Sequence, residues 1–216
     1  MSKPIFITGI GTEIGKTVVS SLVTTALKAN YWKPIQAGFE EGADADKVAF
    51  LAKQRTPDTQ IFPEAYRLSI PASPHIAARK DGITIDIDKI IDAYQLIQLQ
   101  SANHLIIEGA GGLMVPINQH QFVADIIKQL NASVILVSRN YLGSINHSLL
   151  TAAVCKQMNV DVLGWIFNDQ YLDYEEEIVE WSGYPKIASI PKLNTNDCQA
   201  MLHQALLLEP QLRKFI

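Results

Sequence analysis

A glycine-rich segment near the start of the chain carries the residue types that bind phosphate groups. Residues 5–17 read IFITGIGTEIGKT, an apolar run and a glycine-rich turn, after which Gly15, Lys16 and Thr17 open a helical pattern. The backbone NH groups of such a turn surround an anion, and the following helix adds the positive end of its dipole. Lys16 would reach the β- and γ-phosphates of a nucleotide, and the Thr17 hydroxyl would bind Mg²⁺. The segment therefore predicts a phosphate-binding loop.

The glycine spacing in this loop departs from the common pattern by one residue. That pattern requires a glycine five positions before Gly15, where this chain has Ile10. Gly9 instead leaves residues 10–14 before Gly15, so the loop is one residue longer, and Gly11 gives it a second flexible point. A glycine-rich turn followed by a chance Gly-Lys-Thr is the alternative. The order of strand, loop and amphipathic helix favours the phosphate-binding interpretation.

A second informative segment, residues 103–112, reads NHLIIEGAGG. It predicts a buried strand that ends in a carboxylate and a run of glycines. In open α/β sheets ligands bind beyond the carboxyl ends of the strands, so Glu108 should reach the same edge as the phosphate loop. A carboxylate beside a nucleotide would bind Mg²⁺ directly or through water. A solvated glutamate in a glycine-rich turn is the alternative.

Four further positions carry groups that suit such a site, and each has a simpler interpretation. Lys33 falls within a predicted strand, where a charged group needs either water or an anionic partner. Asp44 and Asp46 fall in the first turn of a predicted helix, where they complement the dipole or contribute to a magnesium site. Asn168 follows a predicted strand and offers a donor and an acceptor to a purine edge, although such an asparagine also suits a turn.

Two more segments lie where ligands could bind. Gly143 and Ser144 open a predicted helix whose N-terminus suits a carboxylate as well as a phosphate. His75 lies in a proline-rich connection, residues 56–82, and either contacts a substrate or has a structural role.

Strand-like and helix-like patterns alternate along the chain, which predicts an α/β fold. The apolar runs indicate a doubly wound, mainly parallel sheet with helices on both faces, of the P-loop NTPase type. We expect a single domain over residues 1–216. After the first strand, the further predicted strands are 31–38, a segment ending at 108, 133–138, 160–167 and 186–190. The predicted helices are 17–28, 42–53, 86–100, 122–130, 143–158 and 198–208.

Composition sets the outer limits on function. The chain has 216 residues, 48% of them hydrophobic, and a formal net charge of −4, so we expect no nucleic-acid partner. No apolar stretch approaches the length of about 20 residues that a membrane span needs, and the first residues lack the pattern of a secretory signal. Cys155 and Cys198 lack metal-ligand spacing. We therefore expect reduced thiols, a cytoplasmic location and no membrane association.

The chain resembles the dethiobiotin synthetase family over nearly its whole length. The order and spacing of several motifs carry this resemblance, while any one of them alone would be weak. They are residues 9–17 (GIGTEIGKT), 33–34 (KP), 73–76 (SPHI), 108–112 (EGAGG), 142–147 (LGSINH), 164–165 (GW) and 168–169 (ND).

The resemblance implies an ATP-dependent cyclo-ligase that converts 7,8-diaminopelargonate and CO₂ or bicarbonate to dethiobiotin, releasing ADP and phosphate through carbamate and carbamic-phosphoric anhydride intermediates. By the same resemblance Lys16, Lys33 and Thr12 would take part in catalysis, with Mg²⁺ held by Thr17, Asp46 and Glu108. Residues implied in nucleotide binding are Gly11, Thr12, Glu13, Ile14, Gly15, Lys16, Thr17 and Asn168. Residues implied in substrate binding are Thr12, Lys33, Gly143, Ser144, Ile145 and Asn146, the last four reached across the interface of a homodimer.

Three departures from the family pattern bear on substrate affinity. Ala37 stands where the family often has a serine, Gly11 stands where an aspartate is common, and the connection before Lys33 is short. A partition-type or septum-positioning ATPase is the strongest competing class. Its signature lysine would occupy the position of Gly11. A degenerate paralogue that binds nucleotide for regulation is a third possibility, against which the intact lysines and acidic residues argue.

Overall fold

The computed structural model describes residues 3–40, 42–169 and 172–216. Nine strands and eight helices lie within these ranges. The strands are β1 (Ile5–Gly9), β2 (Asn30–Trp32), β3 (Ile35–Ala37), β4 (Ile61–Phe62), β5 (Tyr66–Leu68), β6 (Leu105–Gly112), β7 (Ser133–Arg139), β8 (Asp161–Asn168) and β9 (Lys186–Ile190). The helices are α1 (Lys16–Leu27), α2 (Asp44–Arg55), α3 (Pro74–Lys80), α4 (Ile87–Gln100), α5 (Val123–Gln129), α6 (Ser144–Gln157), α7 (Glu175–Ser182) and α8 (Cys198–Leu212).

Seven strands form one sheet in the order β4-β2-β6-β1-β7-β8-β9, and every neighbouring pair is parallel. The central strands are almost wholly buried and apolar, as strands covered on both faces must be. Helices lie over both faces of this sheet. The prediction of a doubly wound, mainly parallel α/β fold is therefore confirmed.

Two apolar clusters, one on each face, hold the helices to the sheet. One cluster joins alternate strand residues such as Ile7, Ile106 and Ile135 to helices α1, α2 and α8. The other joins the intervening residues, such as Phe6 and Ile107, to helices α3 to α7. Because successive side chains of a strand point to opposite faces, membership of one cluster or the other shows on which face of the sheet each side chain of β1, β2 and β6 lies.

The strand predicted for residues 31–38 is wrong in one respect, because it is interrupted at Lys33 and Pro34. β2 belongs to the main sheet, whereas β3 pairs with β5 in a separate two-stranded sheet. Proline has no backbone NH to donate to a neighbouring strand, and the Pro34 carbonyl accepts from Tyr66 N at 3.0 Å. The chain thus leaves the main sheet at Lys33, directly beyond the carboxyl end of β2.

The proline-rich connection, residues 56–82, contains β4, β5 and the short helix α3. Among the helices of the described residues, none combines the length and the apolar character needed to cross a membrane.

Candidate nucleotide and metal site

The phosphate-binding loop is the connection from β1 to α1, residues 10–15. Ile10 N donates to Val137 O at 3.1 Å, which fixes the start of the loop to β7. Gly15 caps α1 with φ +89°, a left-handed conformation that glycine adopts without strain. Lys16 is the first helical residue, and its Nζ donates to Gly11 O at 2.6 Å. The lysine side chain therefore folds back over the loop.

Asn168 holds the end of this loop. Its Nδ2 donates to Ile14 O at 3.1 Å, and a Cβ added at Gly15 would lie 1.9 Å from the same Nδ2. Asn168 is thus placed at the end of β8 against the loop, with one hydrogen of its amide nitrogen donated to the backbone. Its Oδ1 is the side-chain atom that could accept from a base.

Glu108 is the central acidic residue of the site. It lies in β6, is 1% exposed, and accepts hydrogen bonds on both oxygens. Thr17 Oγ1 donates to its Oε1 at 2.9 Å, and Lys33 Nζ lies 3.1 Å from the same oxygen. The Tyr31 hydroxyl donates to Oε2 at 2.9 Å. The alternative of a solvated glutamate does not fit this geometry.

Lys33 lies between two carboxylates. Besides Glu108 it forms an ion pair with Asp44 at the start of α2. Burial disfavours its ammonium, but the charges of Glu108 and Asp44 outweigh that effect and raise the pKa of Lys33. Burial likewise opposes the charge on Asp44, yet Lys33 lowers the pKa of its carboxyl group. Lys33 is therefore buried and protonated. The interpretation in which its side chain points into water is excluded.

Lys16 behaves differently, because burial is the largest influence on it. Burial lowers its pKa to about 8, and the positive charge of Lys33 acts in the same direction, whereas Glu108 and Asp44 oppose the change. The two ammonium groups therefore lie in one electrostatic environment. An anion bound between them would favour the protonated form of Lys16.

These groups line one cavity of about 630 Å³, a size that suits a small-molecule ligand. Its lining joins residues from the phosphate loop, the end of β2, the start of α2, the connection before α3 and the turn after β6. Those that bear on chemistry are Thr12, Glu13, Gly15, Lys16, Thr17, Lys33, Asp44 and Glu108. His75 is not among the lining residues, and its Nδ1 lies 3.1 Å from Ser73 Oγ.

Asp46 takes a different place from Asp44. Its Oδ2 accepts from Ala43 N at 3.2 Å, which caps the start of α2. It lines a second cavity of about 570 Å³ along α1, and Thr17 borders both cavities. The structure therefore brings Thr17 and Glu108 into direct contact and places Asp46 on the neighbouring cavity.

The donor set around Thr17 suits Mg²⁺. Within the described ranges, no three His, Cys, Asp or Glu side chains come close enough to form a metal site by themselves. Mg²⁺ in nucleotide sites is commonly held by one or two carboxylates together with phosphate oxygens and water. The Thr17 hydroxyl and the Glu108 carboxylate are adjacent oxygen ligands beside the phosphate loop, so these residues fit a magnesium ion.

The start of α6 lies outside the main cavity. Ser144 is buried, its N donates to Tyr141 O at 2.9 Å, and its Oγ lies 2.8 Å from Tyr174 OH. Gly143 and Asn146 are exposed, and Ile145 is half-buried. Ser144 thus has its polar groups engaged within the chain. A single chain does not bring residues 143–146 to Lys33.

Sequence reasoning missed three contacts at this edge of the sheet. Tyr31 belongs to no motif, although its alternation with Lys33 along the predicted strand indicates that both lie on one face. Asp44 was considered beside Asp46, but its pairing with Lys33 was not foreseen. Arg139 at the end of β7 pairs with Asp169 at 2.9 Å and donates to Glu13 O at 3.5 Å. No sequence motif indicated these contacts of Arg139.

Solved structures with the same fold come from other P-loop proteins. The MinD cell division protein of Aquifex aeolicus superposes with a TM-score of 0.59 over 97% of each chain, at 16% identity. A ParA family ATPase from Chlorobium tepidum gives a TM-score of 0.57 at 13% identity, covering 99% of this chain and 97% of that one. At such low identity these similarities establish the fold alone.

Relatives in sequence are much closer. An ATP-dependent dethiobiotin synthetase of Christiangramia forsetii is 46% identical over 187 residues, which is 87% of this chain and 86% of the relative. The enzyme of the same name from Cytophaga hutchinsonii is 48% identical over 183 residues, 84% of this chain and 85% of the relative. A family model described as an AAA domain matches residues 3–199. This chain belongs to the ATP-dependent dethiobiotin synthetase family of ligases.

Proposed function

We propose that this protein closes the ureido ring of dethiobiotin from 7,8-diaminopelargonate and CO₂, with conversion of ATP to ADP and phosphate. The observation that carries the proposal is the single cavity that joins Lys16 and Lys33 to Thr17 and Glu108. Two ammonium groups and a candidate magnesium site on the walls of one cavity suit a reaction in which negative charge develops on a transferred phosphoryl group. Membership of the ATP-dependent dethiobiotin synthetase family supports this choice of substrates.

The proposed reaction has three steps. One amine of the diamine attacks the carbon of CO₂ and loses a proton, which gives a carbamate. A carbamate oxygen then attacks the γ-phosphorus of ATP, and the bond to the bridging oxygen breaks to release ADP. The second amine attacks the carbonyl carbon of the resulting anhydride and loses a proton. The bond from that carbon to the phosphate oxygen breaks, inorganic phosphate leaves with the bonding electron pair, and the ring closes.

The residues of the main cavity would divide this work. Lys16 would bind the β- and γ-phosphates, and Lys33 would neutralise the carbamate and the transferred phosphoryl group. Thr12 borders both the main cavity and a neighbouring one that reaches α6, so it would lie between the nucleotide and the diamine. Thr17, Glu108 and Asp46 or Asp44 would hold Mg²⁺, which supplies charge neutralisation for the phosphates.

The nucleotide would extend from the phosphate loop along α1. Gly11 to Thr17 would enclose the phosphates through their backbone NH groups. The cavity that Thr17 shares with Asp46 offers room for the nucleoside. Asn168 would accept from the exocyclic amine of adenine through Oδ1, while its Nδ2 donates to Ile14 O.

We also propose a homodimer that completes the diamine site. Leu142, Met114 and Leu150 are large apolar residues that are 95%, 48% and 57% exposed. The last two line a cavity of about 310 Å³ beside Gly11 and Thr12. A second copy of the chain would cover this apolar surface, and residues 143–146 of one copy would then bind the diamine carboxylate at the site of the other.

The deciding experiment measures phosphate release and product mass. Purified protein is mixed with 7,8-diaminopelargonate, bicarbonate and MgATP, and each component is omitted in turn. We expect phosphate and dethiobiotin in equal amounts only in the complete mixture. ATP hydrolysis that is independent of the diamine would instead favour a nucleotide-switch ATPase and contradict the proposal.

The metal assignment can be tested with three conservative variants. Glu108→Gln should raise the Mg²⁺ concentration needed for half-maximal turnover, because an amide is a weaker ligand than a carboxylate. Asp44→Asn and Asp46→Asn form a matched pair on one helix. The one that shifts the Mg²⁺ dependence is the second ligand. A normal Mg²⁺ dependence in Glu108→Gln would count against its role.

A further inference from the structure

Tyr31 is fully buried beside the metal site, and family membership assigns it no role. It lies in β2, opposite Ile106 of β6 in the parallel register. Glu108 follows Ile106 by two residues, so both side chains point to the sheet face that α1 covers. Tyr31 OH donates to Glu108 Oε2 at 2.9 Å, and the two residues are 0% and 1% exposed. A rigid phenol on a sheet strand thus fixes one oxygen of the carboxylate.

The two oxygens of Glu108 are consequently in different environments. Oε2 faces Tyr31 in the apolar interior, whereas Oε1 faces Thr17 Oγ1 and Lys33 Nζ at the cavity. Mg²⁺ demands near-ideal octahedral geometry. A hydrogen bond on the distal oxygen restricts rotation of the carboxylate and keeps the other oxygen directed at the metal. Such supporting contacts commonly change metal affinity by about 10- to 100-fold.

We propose that Tyr31 is a positioning residue that orients Glu108 for one-oxygen coordination of the metal. The inference rests on the proposed function in so far as Glu108 is a metal ligand. Tyr31 is not among the residues that line the cavity, and its hydroxyl bonds to Glu108, so its effect passes through that carboxylate. Removal of the hydroxyl alone should weaken metal binding and leave the phosphate-binding loop intact.

The test compares Tyr31→Phe with Tyr66→Phe. Tyr66 is also a buried strand tyrosine, but its hydroxyl bonds only to the backbone of Asp86, accepting from N at 2.9 Å and donating to O at 3.3 Å. Each variant loses one hydroxyl that is hydrogen-bonded within the protein. Both should therefore lower stability to a similar degree, which makes Tyr66→Phe a control for a purely structural effect.

The readout is Mn²⁺ binding in the presence of ADP, followed by electron paramagnetic resonance, together with ADP affinity in EDTA. We expect Tyr31→Phe to raise the Mn²⁺ dissociation constant about tenfold, with metal-free ADP affinity unchanged. Tyr66→Phe should match the wild type in both measurements. A change of less than twofold in Tyr31→Phe, or an equal change in Tyr66→Phe, would overturn the inference.

A second measurement separates positioning from general damage. In a Glu108→Gln background, Tyr31→Phe should have no further effect on Mn²⁺ binding, because the carboxylate through which it acts is gone. A further loss of tenfold there would refute action through Glu108. Failure of the proposed function would show as absent dethiobiotin synthesis by the wild type, which is a separate result from the Mn²⁺ comparison.

Discussion

Replacing Lys33 with methionine keeps the length of the side chain and removes its charge from between two carboxylates. Lys33 Nζ lies 3.1 Å from Glu108 Oε1. At an effective dielectric constant of about 20, the attraction across that distance is about 5 kcal/mol. Desolvation of both groups offsets part of it, and removal of one partner from a buried pair typically costs about 3–5 kcal/mol. Because Thr17 and Tyr31 still donate to Glu108, we expect a loss near the lower limit, about 3 kcal/mol.

The assay is urea unfolding followed by circular dichroism, arranged as a double-mutant cycle with Glu108→Gln. The double variant should be more stable than the sum of the single losses predicts, with an interaction energy of about 2 kcal/mol. Lys47→Met is the matched control. Lys47 is 59% exposed and lies 3.6 Å from Asp44, so its loss should cost less than about 0.5 kcal/mol. Additive losses, or equal losses for Lys33 and Lys47, would refute the assignment of Lys33 to a buried ion pair.

The same Lys33 variant bears on the reaction. Lys33→Ala or Lys33→Met should abolish ring closure and leave ATP binding largely intact, because the phosphate loop and Lys16 are unchanged. Dethiobiotin formation and ATP affinity are to be measured on the same preparation. Unchanged turnover would remove Lys33 from the proposed mechanism.

Two further predictions concern the loop. Burial lowers the folded-state pKa of Lys16 from 10.5 to about 8, so part of the lysine is neutral between pH 8 and 9. Bound phosphate favours the charged form, and nucleotide binding should therefore take up protons in that range. Near pH 6.5 Lys16 is already charged, so binding should take up no proton there. Calorimetry in buffers of different ionisation enthalpy would detect this uptake, and buffer-independent heats at pH 8.5 would contradict it. Gly15→Ala should cost at least about 1–2 kcal/mol through its φ of +89° and should also weaken nucleotide binding, because the added Cβ would collide with Asn168. Gly82→Ala, at φ +70° with nothing within 4 Å of the added Cβ, should show the strain without the loss of binding.

Most of the main sheet could be predicted because buried parallel strands are apolar along their whole length. Residues 186–190 were predicted as a strand and form β9 with the same bounds. The interruption at Lys33 and Pro34 was missed because Ile35 to Ala37 continue the apolar pattern while pairing with a different strand. Helix α7 was also not identified. Three glutamates fill its first turn, and Ile178 is its one buried apolar residue.

The local motifs indicated which residues belong to the candidate site better than they indicated the contacts between those residues. Lys16, Thr17 and Glu108 have recognisable neighbours in sequence, so the motifs alone indicated that these three residues belong to one candidate site. The choice between Asp44 and Asp46 depends on helix phase, because residues two apart point to nearly opposite sides of a helix. The phenol on Glu108 depends on the register between β2 and β6. Neither the helix phase nor the strand register is encoded in a local motif, so these two contacts could not be predicted from the motifs.

The register of three adjacent strands determines whether this site can exist. In the order β2-β6-β1, Ile7 lies beside Glu108 and Tyr31 lies beside Ile106. Glu108 is therefore flanked by the lysine that follows β2 and by the hydroxyl on the helix that follows β1. A slip of one residue in β6 would turn Glu108 towards the apolar cluster of Phe6 on the other face. A charged group there would lose all three of its donors, so the strand register also determines whether Glu108 can serve as the proposed metal ligand.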